Sequence, residues 1–354
     1  MGRQFNKYFN DVYIFTIDEE DEYPSAIRFL KINIDNLNVH KFKIKRFSGD
    51  LFPNFNLMKK LIFLKPNKIV ILASETTASL SLIAVGKILN ANMVIIIENN
   101  LDRTNNMKGV LKFLSSVKKK FIKFVYKNII NIVAESDMNK KYLQEEFKIS
   151  NSIVKTHGIC LEKYSKNGIL GIDENLADLL KNHKFKSVVL YAGGFYKVKG
   201  IDSVLSIQQH VIEKNYLLII INFGNLKDLN KIIPSNNIIL IDPVKPENMI
   251  FLYNAVDIVI MPSITEHVAE ISPNVLMEAM ASHKCIIASN IGGIPTILKD
   301  GGILIPEGDV DALRNSIDLL SDNPEIAQKY SDRALEIVRK EYSIINYSEF
   351  IAHL

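Results

Sequence analysis

Short continuous apolar runs recur along the chain, and amphipathic stretches fill the intervals between them. In the first half the pattern predicts strands at Val12–Ile17, Val39–Ile44, Ile69–Leu72, Met93–Ile97 and Ile130–Ala134. In the second half it predicts them at Ser187–Ala192, Tyr216–Asn222, Ile238–Ile241, Ile258–Met261, Cys285–Ala288 and Gly302–Ile305. Runs that are apolar throughout, rather than alternating, suit strands buried on both faces of a parallel sheet, with helices as the crossovers. Two such series predict two doubly wound, Rossmann-like α/β domains with a ligand cleft between them. The expected division is residues 1–165, a linker over 166–186, a second domain over 187–335 and a terminal helical piece over 336–354. Helical periodicity is clear at Ile326–Arg339 and Tyr347–Leu354.

Two segments carry candidate chemistry. In MPSITEHVAEISPNVLMEAMASHKCIIASNIGGIP, residues 261–295, Glu270 and Glu278 bracket seven residues. Ser272-Pro273 reads as the start of a helix, with Ser as N-cap and Pro at the first helical position, where its missing donor costs nothing. The unpaired N–H groups of Ser272–Val275, together with the helix dipole, form a ready site for a diphosphate. Glu270 lies in the loop before that site and Glu278 about two turns into the helix. In SVVLYAGGFYKVKGID, residues 187–202, a strand runs into Gly193-Gly194 and then Lys199-Gly200. Glycines at that point admit close approach of a ligand to the backbone, and Lys199 is placed to reach a diphosphate.

Glu-x7-Glu, Ala-Met-Ala, an apolar strand and Gly292-Gly293-x-Pro295 together resemble the signature of family 4 glycosyltransferases. The resemblance covers roughly residues 60–345 and is specific mainly after Ser187. It implies the GT-B fold, with two Rossmann-like domains facing across a cleft, and a retaining, metal-independent sugar transfer. Terminal helices that cross back onto the first domain belong to the same expectation. By motif match the donor sugar's hydroxyls fall to Glu270, the ribose to Glu278, the diphosphate to Lys199 and Ser272–Val275, and the base to Asp242–Val244. The implied donor is a nucleotide-diphospho-sugar and the acceptor a glycan or a lipid-linked sugar, with no cofactor and no metal.

Several positions depart from the family pattern. Gly194 stands where Gly-Arg-x4-Lys-Gly has its arginine, one of two cations expected on the leaving group. Lys197 is a candidate substitute. His157-Gly158-Ile159-Cys160 stands where Asn-Gly-Val-Asp is usual, His283 replaces a Gly, and Thr296 replaces a Glu. The glycine-rich loop after the first strand is replaced by IDEEDEYPS, and IIIENN stands where a histidine is common.

Composition changes the picture in one respect. The 354 residues are 47% hydrophobic and 23% charged, ordinary globular values, and no apolar run reaches membrane-spanning length. Two cysteines far apart and a start without a long apolar stretch lead us to expect a cytoplasmic protein. Charge, however, is uneven. Residues 1–165 hold 26 Lys+Arg against 16 Asp+Glu, and the rest hold 17 against 23. The sequence from Arg103 to Ala134 has no acidic residue, and Lys108, Lys112, Lys119, Lys123 and Lys127 share a helical face. Phe124 and Val125 lie on the opposite, apolar face with Val110, Phe113, Leu114, Val117 and Phe121. That pattern fits either a core-packed helix with solvated lysines or a peripheral contact with an anionic membrane at the inner face of the cell membrane. No nucleic-acid module accompanies it. Gly-x-Gly-x-x-Gly between strand and helix is missing, which argues against a dinucleotide oxidoreductase. The readings to weigh are a glycosyltransferase, a sugar-nucleotide epimerase of the same fold, and a transferase-like binding or scaffold subunit.

Overall fold

Six strands of the second half pair in parallel: β9 (Val188–Tyr191), β10 (Leu217–Ile221), β11 (Ile238–Ile241), β12 (Ile258–Met261), β13 (Cys285–Ser289) and β14 (Ile303–Ile305). Each coincides with a predicted apolar run to within a residue. In this computed structural model their spatial order is β11-β10-β9-β12-β13-β14, which is the Rossmann order 3-2-1-4-5-6. The chain reverses direction across the sheet between β9 and β12, and in such sheets ligands bind beyond the carboxyl ends of the strands at this switch point. The structure describes residues 13–17, 38–42, 46–47, 50–51, 55–72, 77–97, 120, 123–127, 129, 131–164, 184–224, 226–265 and 273–354.

The chain divides into two compact units, residues 1–157 with 345–354, and residues 158–344. In the first, β5 (Lys68–Leu72), β6 (Asn92–Ile97), β7 (Asn131–Ala134) and β8 (Ile153–Val154) form a parallel sheet in that order. Strands β1 (Tyr13–Ile17) and β2 (Asn38–Phe42) pair parallel with each other, and β3 (Arg46–Phe47) and β4 (Asp50–Leu51) antiparallel. Alternation along β6 splits its side chains between two cores. Ile95 and Ile97 join Ile132, Leu143 and Phe147 on one face. Val94 and Ile96 join Val133, Tyr347 and Ile351 on the other.

Tyr347 and Ile351 belong to the last helix, Ile344–His353. Its final carbonyls, which have no partner within a helix, are met by the sheet's own polar side chains. Lys68 donates to the carbonyls of Ile351 and Ala352, at 3.1 and 2.6 Å, while Asn92 and Asn131 donate to that of Leu354 at 3.0 and 2.7 Å. Burial holds the Lys68 ammonium below the usual lysine pKa. The helix before it, Pro324–Glu341, instead buries Ala334, Ile337 and Val338 in the second unit. The segment that joins the first unit's core therefore begins at residue 345, whereas the sequence reading set it at 336. The other division falls at His157/Gly158 where 165 was expected, because Ile159 pairs with Ser343 and Tyr164 packs into the second core.

Candidate functional site

The candidate site residues that are described lie on the segments that follow β9, β11 and β12, Glu278 in a helix and the glycines and Lys199 on a turn. After β9, Tyr191 turns its hydroxyl to the carbonyls of Gly194, at 2.9 Å, and Lys199, at 3.1 Å, stapling the loop that carries both. Gly194 has φ +65, and a Cβ there would stand 2.8 Å from the Phe223 carbonyl oxygen. The arginine that the family pattern places here is thus excluded by this backbone, not merely missing. Gly193 is constrained as well, since a Cβ would meet the Tyr191 ring at 2.6 Å.

A 3-10 turn, Lys197–Lys199, follows, with Lys197 exposed and Lys199 half-buried. Gly200 closes it at φ +81, where any side chain would overlap the Pro262 carbonyl. Ile264 N–H donates to the Val198 carbonyl at 3.0 Å, so the loop leaving β12 is fastened to the lysine turn. The two segments that flank the switch point are in this way held together.

Past that loop, Glu270 and Ser272 lie outside the described residues. The helix α8 spans Asn274–Ala281; among the described residues the helices before it are Phe55–Leu64, Thr77–Ile88, Asp137–Phe147, Leu161–Tyr164, Ile201–Ser206, Gln208–Glu213 and Met249–Asn254, α1 to α7. Pro273 is buried and serves as N-cap, in an extended conformation at φ −73 and ψ 121. Two expectations are corrected here. Proline occupies the capping position, not the first helical one, because its ψ is not helical. Glu278 then comes only little more than one turn into the helix, closer to its amino end than the sequence suggested. Asn274 is exposed and Val275 half-buried in the first turn. The helix ends in a Schellman motif: His283 N–H donates to the Met280 carbonyl and Lys284 N–H to that of Ala279.

Glu278 is the best-defined group of the site. Tyr164 donates to its Oε1 and Tyr253 to its Oε2, each at 2.9 Å. Burial, reinforced by the adjacent carboxylate, pushes both phenols well above the usual tyrosine pKa. Both therefore stay protonated and act as donors at any physiological pH. Lys163 donates to Tyr164 Oη at 3.2 Å and to the Pro246 carbonyl at 2.6 Å. Pro246 belongs to the loop after β11 that carries Asp242, exposed, and Val244, half-buried. Sequence reasoning missed Tyr164 and Tyr253, since they stand 114 and 25 residues from Glu278.

Tyr164 also lines a cavity of about 470 Å³ with Glu162, Asn254, Ser282, Lys284 and Arg339, at the carboxyl end of α8 and away from its capped end. In the first unit, Glu135 is only 3% exposed at the end of β7 and pairs with His157 Nδ1 at 3.3 Å. Of the basic helix, only residues 120 and 123–127 are described. Tyr126 is the buried side chain there and Phe124 is 68% exposed, so Phe124 does not belong to the buried face to which the periodicity assigned it. The remainder of Lys108–Lys127, Lys119 included, lies outside the described residues. Among the described residues no helix is long and apolar enough to cross a membrane.

Comparison with known proteins defines the class. Residues 172–336 match the family model of Glycosyl transferases group 1. An uncharacterized glycosyltransferase of Haemophilus influenzae is 29% identical over 52% of this chain, which spans only 54% of that relative's length. The lipopolysaccharide 1,2-N-acetylglucosaminetransferase of Salmonella typhimurium is 24% identical over 96% of this chain and 91% of its own. Among solved structures, a Rickettsia africae glycosyltransferase superposes with a TM-score of 0.68 at 16% identity, over 89% of this chain and 84% of its own. Anabaena HepE in complex with UDP also gives 0.68, at 15% identity, over 90% and 85%. The fold is of the GT-B type, with two Rossmann-like α/β units.

Proposed function

We propose that the chain transfers a hexose from a nucleotide-diphospho-sugar to a glycan or lipid-linked acceptor, with retention of configuration and without a metal. The observation that carries this reading is the switch point of the second sheet. There a glycine turn with Lys199 after β9 is bonded to residues 262–265 leaving β12, and the helix α8 presents Glu278. In this reading the diphosphate is held by the backbone donors of Ser272–Val275, where the chain enters α8, with Lys199 beside it. Glu278 accepts from the ribose, the base rests against Asp242–Val244, and Glu270 positions the sugar.

The bond between the anomeric carbon and the diphosphate oxygen breaks, and its electron pair leaves with the nucleoside diphosphate. The acceptor oxygen bonds to the same face of that carbon, and its proton passes to the departing diphosphate. Helix N–H donors and Lys199 stabilise the charge that develops, a contribution often among the largest in catalysis. The structures of HepE with UDP and with UDP-glucose support a uridine donor as the first choice, and the Salmonella relative supports a saccharide acceptor.

The test is a thermal-shift panel of UDP-, GDP- and ADP-sugars followed by a transfer assay with EDTA present. Stabilisation by a UDP-sugar and EDTA-resistant product of retained configuration are expected. Isomerised donor without transfer would indicate an epimerase, and Glu278→Ala with undiminished transfer would overturn the donor site. Gly194 favours a second reading, a binding subunit with little turnover, to which donor stabilisation without any product would point. The excess of lysine in the first half, with Phe124 exposed among it, supports contact with an anionic membrane surface. Replacing Lys119, Lys120 and Lys123 by Glu should release the protein from phosphatidylserine vesicles, and undiminished co-sedimentation would refute that contact.

A further inference from the structure

We propose that Tyr164 and Tyr253 are positioning residues that fix Glu278 as a preset double acceptor for a vicinal diol, the ribose of the nucleotide. The inference rests on the donor site proposed above and adds residues that the family match does not supply. A carboxylate has two oxygens with about four acceptor sites between them. Here each oxygen already receives one phenolic O–H at 2.9 Å, from tyrosines 114 and 25 residues earlier in the chain. Two hydrogen bonds of this kind fix both the rotamer and the plane of the group, and each oxygen keeps one site unused by the tyrosines. Those two sites are spaced as the oxygens are, which suits two neighbouring hydroxyls of a sugar ring.

The clamp is anchored on both sides. Tyr253 is fully buried in α7, with no exposed surface, and its ring stands 6.4 Å from that of Tyr164 in an edge-on arrangement. Tyr164 closes α4 and is backed by Lys163, whose ammonium lies 5.0 Å from the ring centroid and donates both to the phenolic oxygen and to the Pro246 carbonyl. A chain of donors therefore runs from Lys163 through Tyr164 to Glu278, and Lys163 is itself tied to the carbonyl of the loop after β11. Hydrogen bonds arranged head to tail in this way strengthen one another. Its consequence is that the carboxylate is aimed before any ligand arrives, so that little ordering remains to be done on binding.

Tyr164→Phe removes one hydroxyl and keeps the ring. The full-length protein would be titrated calorimetrically with UDP and with the UDP analogue that lacks both ribose hydroxyls. A hydrogen bond to a charged group corresponds to roughly a tenfold change in affinity or more. Tyr164→Phe should therefore bind UDP about tenfold more weakly than the wild type and bind the analogue equally well, with the thermal midpoint and cooperativity kept. Tyr253→Phe and Glu278→Gln should show the same selective loss. Equal loss for both ligands would reduce the tyrosines to packing, and unchanged UDP affinity in both Phe variants would overturn the clamp. Either result would leave the donor site standing. A wild type that binds no nucleoside diphosphate would remove the donor site and the clamp together.

Discussion

Two residues of the second unit show the same backbone physics with opposite sign. Gly194 and His283 both lie in the left-handed region, at φ +65 and +58. An L-residue other than glycine costs about 1–2 kcal/mol there. At 194 the chain meets the constraint with glycine and so forgoes the arginine of the family pattern. Gly194→Arg should not restore a leaving-group clamp. It should lower stability by at least about 2 kcal/mol in urea unfolding, from the backbone cost and the collision with Phe223 together, and it should not raise transfer. An increase in turnover with an unchanged midpoint would contradict this account. At 283 the family's glycine is replaced by a histidine that ends α8 in the left-handed position and holds Asp332 at 2.8 Å. His283→Gly relieves the backbone but gives up an exposed pair that contributes little and loosens the unfolded chain. Its stability should stay within about 1 kcal/mol of the wild type, measured side by side with Gly194→Arg.

At the scale of elements, the helix Ile344–His353 shows how a short amphipathic segment completes a domain. Ile351 is fully buried against Val94, Ile96 and Val133, so Ile351→Ala should cost roughly 2–5 kcal/mol. The loss should appear as a lower urea midpoint for the first unit, reported by amide exchange on β6 and β7. Protection of those strands equal to that of the wild type would mean the helix is dispensable to that core. Strands such as Ile238–Ile241 and Ile258–Met261 were legible because an all-apolar run between polar turns has few alternatives in a chain of this length. The glycine turn at 193–194 was legible for a similar reason, as a local break between a strand and a helix, whereas Glu270 lies outside the described residues. Sheet order was not legible, because pairing β9 with β12 across nearly seventy residues leaves no local mark. The Glu278 clamp was hidden for the same reason, with Tyr164 at the end of a four-residue helix that offers no periodicity at all. The division of the terminal helices was misjudged because Pro324–Glu341 and Ile344–His353 both carry an apolar stripe, and a stripe does not say which core it will meet.

At the scale of the whole molecule, the second unit carries a set of protons that it releases reluctantly. Tyr164, Tyr216, Tyr253 and Tyr342 all have pKa values raised mainly by burial, and burial likewise pushes the Cys285 thiol up to about 11. All five lie in residues 158–344. Each holds its proton more tightly in the folded chain than in the unfolded one. Below the unfolded pKa, near 9 for the thiol and 10 for the phenols, both states are protonated and their contribution is fully present. Above it, unfolding releases a proton that folding retains, so stability falls as pH rises. For Tyr253, fully buried, the slope approaches about 1.4 kcal/mol per pH unit beyond pH 10. The thiol adds its share between pH 9 and 11. Urea unfolding at pH 8, 9.5 and 10.5 should therefore show a flat midpoint at first and then a steepening decline, and Tyr253→Phe should flatten the decline. Because Tyr164 and Tyr253 belong to the clamp, the nucleotide should counter it: a ligand bound to Glu278 stabilises the form in which both phenols are protonated. UDP at saturating concentration is expected to move the onset of alkaline unfolding upward. It should do so less for the analogue without ribose hydroxyls, and an equal displacement by both ligands would separate the alkaline transition from the donor site.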